Sequence, residues 1–420
     1  MKPSARVIID TDPGVDDILA LLLALSSLPQ DLEVLMISAT YGNATLASSL
    51  HSVVATFHVL AQELAWRKAS GREERYSALF KSKPIVAAGP KCSLEAQTDE
   101  AGVLEDPDAL YGVYKRYSEL APEKDWADMF QDHGQNWERQ SATHLHNFFC
   151  PSTKPAHEEV LRLLDENPAN SITIIALGPL TNLALAAAKD PDTFLKTKEL
   201  VVMGGNVHVP GNVTPFAEFN TYADPFAAAR VYALTSSNPK TNIPPEPGTG
   251  MLSSLVAYPE RLSRLLNLTL FPLDITTAHP LRRGPCLEKL RPLVELGSPL
   301  AKWVDHFLSA TFDKFSTTEE SDLEPRLSLH DPLTIWYVLK REQQGWIPAN
   351  VLEDIRIETT GYWTKGMHAI DRRKRDGLST GVSVDIGGWL GKSSGNQIRR
   401  MVSSGFEDSF AKHLLDEIFD

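Results

Sequence analysis

Short apolar runs that alternate with segments of helical period constrain the fold of this chain more than any other feature. The predicted strands cover residues 7–9, 32–40, 84–88, 171–177 and 199–203, and the predicted helices begin near residues 16, 46, 155, 180 and 224. Strands that alternate with helices favour parallel pairing, with the helices packed on the sheet. We therefore predict an α/β fold with a mostly parallel, mixed central sheet flanked by helices.

The domain organisation follows from the absence of a linker-like stretch between balanced halves of the 420 residues. We predict a single domain over residues 1–420. Residues 92–150 have no clear period and are rich in charge, Trp and Tyr, so we expect an insertion there with its own helices. Residues 236–250 contain several Pro and Gly and predict a loop.

The composition limits the classes of partner. A formal net charge of −13 repels phosphate backbones and anionic lipids, so we expect neither a nucleic-acid polymer nor a membrane as partner. Cys92, Cys150 and Cys286 are far apart and have no zinc-binding spacing, which is typical of reduced thiols. With no secretory signal and no apolar run of membrane-spanning length, we predict a cytoplasmic protein that binds a small molecule.

Four carboxylates lie within eight residues in the run DTDPGVDD at residues 10–17, directly after the first predicted strand. Like charges this close raise one another's pKa values, and a bound cation relieves the cost. We expect the turn at Pro13 and Gly14 to let Asp12 and Asp17 face one point. Oxygen ligands without nearby Cys or His favour Ca²⁺ or Mg²⁺ over zinc. The alternative is a solvated turn before an acidic helix start, although two acids would suffice for that.

Three polar, glycine-rich pieces follow predicted strands. They are YGNA at residues 41–44, LGPLTN at 177–182 and MGGN at 203–206. Open α/β sheets bind ligands at the carboxyl ends of their strands, where these pieces are expected to meet. Each piece alone is compatible with an ordinary loop, but together they predict one crevice.

Two further segments add candidate ligands for a sugar. Glu218 and Asn220 lie in the segment GNVTPFAEFN at residues 211–220, and their spacing predicts a strand-like stretch with both side chains on one face. A carboxylate with an amide suits vicinal sugar hydroxyls, although an ordinary polar loop is the alternative. Asp331 precedes Pro332, which predicts a helix cap with His330 beside it. A plain helix cap is the simpler interpretation of that pair.

Taken together, these motifs resemble those of the inosine–uridine-preferring nucleoside hydrolases. The run at residues 10–17 matches the N-terminal motif of that family throughout. Residues 177–182, 201–205, 218–220, 224–225 and 330–331 recur in the same order, so the resemblance covers about residues 5–340. The fungal-type uridine nucleosidase branch resembles the chain most, judging by residues 155–159 and 222–225.

The resemblance implies an open, Rossmann-like nucleoside hydrolase fold and Ca²⁺-dependent hydrolysis of uridine- or inosine-like ribonucleosides to ribose and free base. It also implies a homo-oligomer, a dimer or a tetramer, in purine and pyrimidine salvage. The implied metal ligands are Asp12, Asp17, Asp331 and the backbone carbonyl of Leu177. The implied substrate-binding residues are Asp16, Asn43, Met203, Asn212, Glu218, Asn220 and Asp331. Asp12 is the implied general base, and His330 is implied to lie near the leaving base.

The chain departs from the family in the region that closes over the base. The loop expected after residues 84–88 is not recognisable, and we consider His133, His144 and His146 as substitutes for its residues. The base preference is therefore left open between uridine, inosine and related ribonucleosides.

Two other functions remain as alternatives. Residues 10–12 resemble the start of haloacid-dehalogenase-type phosphatases, but those enzymes need Thr or Val where this chain has Gly14, and they lack the following Asp16–Asp17 pair. The other alternative is a catalytically inactive, Ca²⁺-dependent sugar-binding protein. The presence of the whole candidate set argues against it: Asp12, Asn43, Glu218, Asn220 and His330.

Overall fold

The computed structural model describes residues 4–96, 110–131, 144–316, 324–373, 385, 387–389 and 395–420. His133 and the side chains of His144 and His146 lie outside the described part, and so do many residues of the predicted 92–150 insertion.

The strands are β1 (Ala5–Thr11), β2 (Leu32–Ala39), β3 (Ile85–Ala88), β4 (Cys150–Pro151), β5 (Ile172–Ala176), β6 (Glu199–Met203), β7 (Leu268–Phe271), β8 (Pro280–Arg282), β9 (Arg326–Ser328), β10 (Ile347–Pro348), β11 (Arg356–Ile357), β12 (His368–Ala369) and β13 (Arg399–Ser403). The helices are α1 (Val15–Ser26), α2 (Leu46–Ala69), α3 (Ala78–Lys81), α4 (Val113–Arg116), α5 (Ala156–Glu166), α6 (Thr181–Lys189), α7 (Pro191–Phe194), α8 (Phe219–Ala223), α9 (Pro225–Ala233), α10 (Leu273–Thr276), α11 (Arg283–Glu295), α12 (Pro299–Ser316), α13 (His330–Lys340) and α14 (Phe410–Phe419). Short 3₁₀ helices cover Ser118–Leu120, Trp126–Phe130, His144–Asn147, Pro239–Thr241 and Gly250–Ser254.

A nine-stranded sheet in the order β10-β13-β7-β6-β5-β1-β2-β3-β4 forms the centre of the fold. Strand β1 pairs in parallel with both β2 and β5, whereas β10 pairs antiparallel with β13. The sheet is therefore mostly parallel but mixed, which confirms the predicted α/β class. Two separate two-stranded ribbons, β8-β9 and β11-β12, lie outside it.

The core extends over both faces of the sheet. Val7 and Ile9 of β1 pack into one apolar cluster and Ile8 into the other, because successive side chains of a strand point to opposite faces. Helix α1 is buried around its whole circumference from Asp17 to Ser26, which explains why its sequence is an unbroken apolar run. Among the described residues, no helix combines the length and the apolar character that a membrane crossing requires.

Most predicted elements are present, within a few residues of their predicted ends. Two local predictions are wrong. Glu218 and Asn220 do not lie on a strand, because the Glu218 side chain accepts hydrogen bonds from the backbone N–H groups of Asn220 and Thr221 and thereby caps α8. Helix α13 begins at His330, so Asp331 lies in the first turn of the helix and is not its cap.

Candidate active site

The carboxyl end of β1 and the start of α1 hold the acidic run in a hydrogen-bonded turn. The Thr11 hydroxyl donates to Oδ1 of Asp17 over 2.6 Å, and the backbone N–H of Gly14 donates to Oδ2 of Asp17 over 3.0 Å. The side-chain amide of Asn43, from the loop after β2, also donates to Oδ2 of Asp17 over 3.1 Å. Both oxygens of the buried Asp17 therefore have donors.

Asp16, Asp17 and Asp331 bring one carboxylate oxygen each within 4.8 Å of one another. Burial and then the charge of Asp17 raise the pKa of Asp16 to about 7. Burial, followed by the charges of Asp16 and Asp17, raises the pKa of Asp331 well above its usual value. Carboxylates in this arrangement are costly to ionise together unless a cation lies between them.

Asp12 lies beside this trio but does not belong to it. Its buried side chain accepts a hydrogen bond at Oδ2 from the backbone N–H of Asn43 over 2.7 Å, whereas Oδ1 has no partner among the described residues. Burial and the neighbouring charge of Asp17 raise its pKa. A Cβ at Gly42 would lie 2.0 Å from Oδ2, and one at Gly178 would lie 2.4 Å from Oδ1. Glycine at both positions lets two loops close around Asp12.

A cavity of about 250 Å³ opens beside the acids, at the carboxyl ends of the strands. Its lining residues are Asp16, Asn43, Leu177, Met203, Asn212, Val213, Glu218, Phe219, Asn220, His330 and Asp331. The cavity lining thus includes all the predicted site residues except Asp12 and Asp17, which are buried at 0 % exposure beside it. The sequence analysis did not single out Val213 and Phe219, whose apolar side chains carry no chemical signal beyond lying within residues 211–220.

The loops after β5 and β6 meet at Glu218 and Asn220. Oε2 of Glu218 accepts hydrogen bonds from the N–H groups of Gly205 and Thr221 at 2.8 and 3.1 Å, while Oε1 accepts one from the N–H of Asn220 at 2.8 Å. Burial raises the pKa of Glu218, and these hydrogen bonds oppose the shift. The Asn220 amide donates to the carbonyl oxygen of Leu177 over 2.6 Å. One short segment therefore fixes both loops at the cavity wall.

His330 stands at the start of α13 and lines the cavity. Its Nδ1 lies 2.7 Å from the hydroxyl oxygen of Thr276, which belongs to α10. Burial lowers the pKa of His330 to about 4, so the ring is neutral at physiological pH. Thr276 was not predicted as a site residue, because nothing in the sequence near residue 276 indicates that it meets His330.

Two acids of the motifs turn out to support the fold. The Asp10 carboxylate is buried and accepts hydrogen bonds from Ser38 and from the Asn182 amide, the latter over 2.7 Å. Asp224 caps α9 through the N–H of Ala227 and also accepts a hydrogen bond from the N–H of Leu94. Neither carboxylate lines the cavity.

Known proteins of one family resemble this chain over most of its length. Residues 7–389 match the family described as "Inosine-uridine preferring nucleoside hydrolase". The chain belongs to this family. Its activity is therefore that of a ribonucleoside hydrolase, which cleaves the N-glycosidic bond of its substrate with water.

Relatives of similar length support the assignment. A "Pyrimidine-specific ribonucleoside hydrolase RihA" of Salmonella paratyphi B is 27% identical over 365 residues, which cover 87% of this chain and 88% of that protein. An uncharacterised protein of Schizosaccharomyces pombe is 26% identical over 372 residues, covering 87% of this chain and 89% of that one.

Solved structures of nucleoside hydrolases share the fold. A plant nucleoside hydrolase, PpNRh1, superposes with a TM-score of 0.61 at 22% identity and covers 99% of both chains. A purine-preferring ribonucleoside hydrolase from Gardnerella vaginalis gives a TM-score of 0.60 at 18% identity, covering 99% of this chain and 96% of that one. The predicted nucleoside hydrolase fold is thereby confirmed.

Proposed function

We propose that the hydrolase is Ca²⁺-dependent and acts on uridine- or inosine-like ribonucleosides in the cavity beside Asp16 and Asp331. The observation that carries the proposal is the composition of this cavity. Two acids of the carboxylate trio line it together with Glu218 and Asn220, the polar groups proposed to bind the sugar. A site for a cation and a site for vicinal hydroxyls thus share one wall.

The acids fit a hard cation. Carboxylates with raised pKa values retain protons or take a metal, and the three clustered ligand atoms of Asp16, Asp17 and Asp331 are carboxylate oxygens, which suit Ca²⁺. We propose Asp12, Asp17, Asp331 and the carbonyl of Leu177 as its ligands. The proximity of Asp16 to Asp17 and Asp331 supports Asp16 as a neighbour of the ion. When bound, the ion offsets the charge of the acids and orients oxygen ligands.

Asp12 is the proposed general base. Its free Oδ1 is buried beside the trio, where it can accept the proton of the water that attacks C1′. In the metal-free protein burial raises the pKa of this carboxylate, and a bound cation would oppose that shift, so that Asp12 is ionised and able to accept the proton.

Asp16, Asn43, Glu218 and Asn220 are proposed to bind the ribose hydroxyls, with Met203 and Asn212 beside the sugar. In the described part of the chain Oε1 of Glu218 has one donor, so one lone pair is left for a hydroxyl. Cleavage builds positive charge on the ribosyl ring, as in glycoside hydrolysis, and the surrounding carboxylates favour that charge.

His330 is proposed to serve the leaving base. It lines the same cavity as the proposed ribose ligands, and its ring is neutral. The names of known relatives include pyrimidine-specific and purine-preferring enzymes, so the choice of base requires a direct assay. We further propose a cytoplasmic homo-oligomer, in keeping with the family resemblance.

The decisive experiment is a panel of ribonucleosides assayed for free ribose with and without a chelator. We expect uridine or inosine to be cleaved, chelation to abolish cleavage and Ca²⁺ to restore it. 2′-Deoxynucleosides should be poor substrates, because the protein groups that bind the 2′-hydroxyl are left without a partner. Crystals grown with Ca²⁺ should show oxygen ligands at roughly 2.3–2.6 Å. Full activity in a chelator would refute the calcium proposal.

The same panel addresses the alternatives. A phosphatase of the haloacid-dehalogenase type would use the first Asp of the motif as its nucleophile, but Asp10 is buried and does not line the cavity. Phosphate release from a phosphomonoester, without ribose from any nucleoside, would nevertheless establish that activity. Binding of ribose without turnover would establish an inactive sugar-binding protein.

A further inference from the structure

We infer that Thr276 is a positioning residue that holds His330 as the tautomer with its proton on Nε2, directed into the cavity. The inference rests on the proposed role of His330 toward the leaving base. It starts from the contact of 2.7 Å between Nδ1 of His330 and the hydroxyl oxygen of Thr276.

The direction of this hydrogen bond follows from the partners that are available to the Thr276 hydroxyl. Thr276 is completely buried, and its hydroxyl has no other hydrogen-bond partner among the described residues. If Nδ1–H donated to Thr276, the hydroxyl proton would be buried without an acceptor, at a cost of roughly 1–3 kcal/mol. If the hydroxyl donates, Nδ1 is the acceptor and the hydroxyl is satisfied. A ring nitrogen that accepts a hydrogen bond carries no proton, so the proton of the ring lies on Nε2.

The position of the ring gives this tautomer a function. Nδ1 of His330 points to Thr276, which does not line the cavity, whereas His330 does line it, and we infer from this that the opposite edge of the ring faces the cavity. An Nε2–H group there donates a hydrogen bond to a nitrogen or oxygen of the departing base. The other tautomer would present a lone pair and repel the electrons that the base gains.

Hydrogen bonds connect the segments around Thr276 and His330 to other parts of the fold. The backbone N–H of Leu329, directly before His330, donates to the carbonyl of His279 over 2.9 Å. His279, which follows α10 closely, contacts the Ser404 hydroxyl at 2.6 Å. In α10 itself, Asp274 accepts hydrogen bonds from the N–H groups of Val207 and His208, at 2.8 Å each. Thr276 is thus fixed relative to both α13 and the loop after β6.

Neighbouring threonines provide a matched set of variants. Thr276→Val keeps the shape and removes the hydroxyl, and Thr276→Ser restores the hydroxyl. Thr277→Val is the control, because the Thr277 hydroxyl donates to the backbone carbonyl of Leu273 rather than to His330. We expect Thr276→Val to lower kcat/KM for uridine or inosine ~10-fold, the worth of one orienting hydrogen bond. Cleavage of p-nitrophenyl riboside, whose leaving group needs no help, should change little, and the Ser and control variants should resemble the wild type.

The tautomer itself can be measured in the unaltered protein. In ¹⁵N-histidine-labelled enzyme near neutral pH, the signals that disappear in His330→Gln identify this ring, and their shifts distinguish the protonated nitrogen. We expect the proton on Nε2. A proton on Nδ1, equal losses on both substrates in Thr276→Val, or a Ser variant as impaired as the Val variant would overturn the inference. A wild-type enzyme that releases no base from any nucleoside would instead refute the proposed function, while the tautomer measurement would still decide the inference.

Discussion

Asp12 and Asp17 differ in how the protein uses their carboxylate oxygens. Asp17 accepts hydrogen bonds at both oxygens, from Thr11, Gly14 and Asn43. Among the described residues, Asp12 has a donor at Oδ2 only, and its buried Oδ1 has no partner. An unpartnered buried acceptor is costly to the fold. Its presence beside the cavity is therefore consistent with a group kept free for a ligand or a proton.

Asp12→Asn tests the proposed general base. The change keeps the shape and an oxygen for the N–H of Asn43 but removes the basic oxygen. Turnover should fall on every substrate by roughly 10²–10⁴-fold, the usual contribution of general-base catalysis. Asp165→Asn is the control, because Asp165 is 69% exposed and pairs with Lys196 at the surface. Near-normal turnover of Asp12→Asn would assign the base elsewhere.

His330→Ala tests the role at the leaving group. The variant should impair cleavage of natural nucleosides, whose bases leave poorly as anions, and should largely spare p-nitrophenyl riboside. The comparison of kcat on the two substrates measures the difference directly. Comparable losses on both would indicate that His330 positions the sugar or supports the fold.

At the scale of elements, capping carboxylates connect distant segments to the sheet. Asp224 caps α9 and also holds the N–H of Leu94 and the Thr181 hydroxyl, which lies at the start of α6. Glu218 likewise caps α8, and in addition it lines the cavity. A capping carboxylate thus supports the fold at Asp224, whereas at Glu218 it caps a helix beside the proposed sugar site.

Asp224→Ala tests whether the Asp224 carboxylate stabilises the fold without contributing to catalysis. It removes a buried acceptor with three donors, so the free energy of unfolding should fall by roughly 1–3 kcal/mol or more. The folded fraction should keep most of its kcat, because Asp224 does not line the cavity. Urea unfolding gives the first quantity and steady-state assays give the second. Asp190→Ala, which removes a single partly exposed cap contact at α7, should cost about 1 kcal/mol. A larger loss at Asp190 than at Asp224 would contradict this account.

At the scale of the whole molecule, the buried acids couple stability to pH and metal. The folded pKa of Asp16 is raised to about 7, above its ordinary value of 3.8, mainly by burial. Between these two values the metal-free folded protein binds more protons than the unfolded chain, so this group lowers stability as the pH rises. His330 changes the stability in the opposite direction. Its pKa is lowered to about 4, so its contribution to the free energy of unfolding grows as the pH rises from there to the ordinary value of 6.5.

Comparing the wild type with Asp16→Asn measures how the ionisation of Asp16 affects stability. We expect the melting temperature of metal-free wild type to fall, relative to that of the variant, as the pH rises from about 5 to about 8. Added Ca²⁺ should stabilise the wild type more at the higher pH, because metal binding displaces protons. Thermal unfolding in a chelator and in excess Ca²⁺ measures both effects. A difference between wild type and variant that does not change with pH would show that Asp16 ionises normally.

The fold class, the family and most of the residues that line the cavity could be predicted from the amino-acid sequence alone. Strand and helix alternation is a local pattern, and the run at residues 10–17 places its acids after a strand whatever the rest of the chain does. Glycine-rich loops after successive parallel strands meet at one edge of the sheet for geometric reasons. This is why Asn43, Leu177 and Met203 could be assigned to one crevice before any distance was known.

Which of these groups are in contact depends on the tertiary packing and could not be predicted from the sequence. The trio joins Asp331 to two acids from the other end of the chain, and the contact of Thr276 with His330 depends on how α10 packs beside α13. The fit of Gly178 against Asp12 likewise involves two different strands. Contacts between residues far apart in sequence leave no local pattern, because they arise from packing in the folded state and not from the preferences of neighbouring residues.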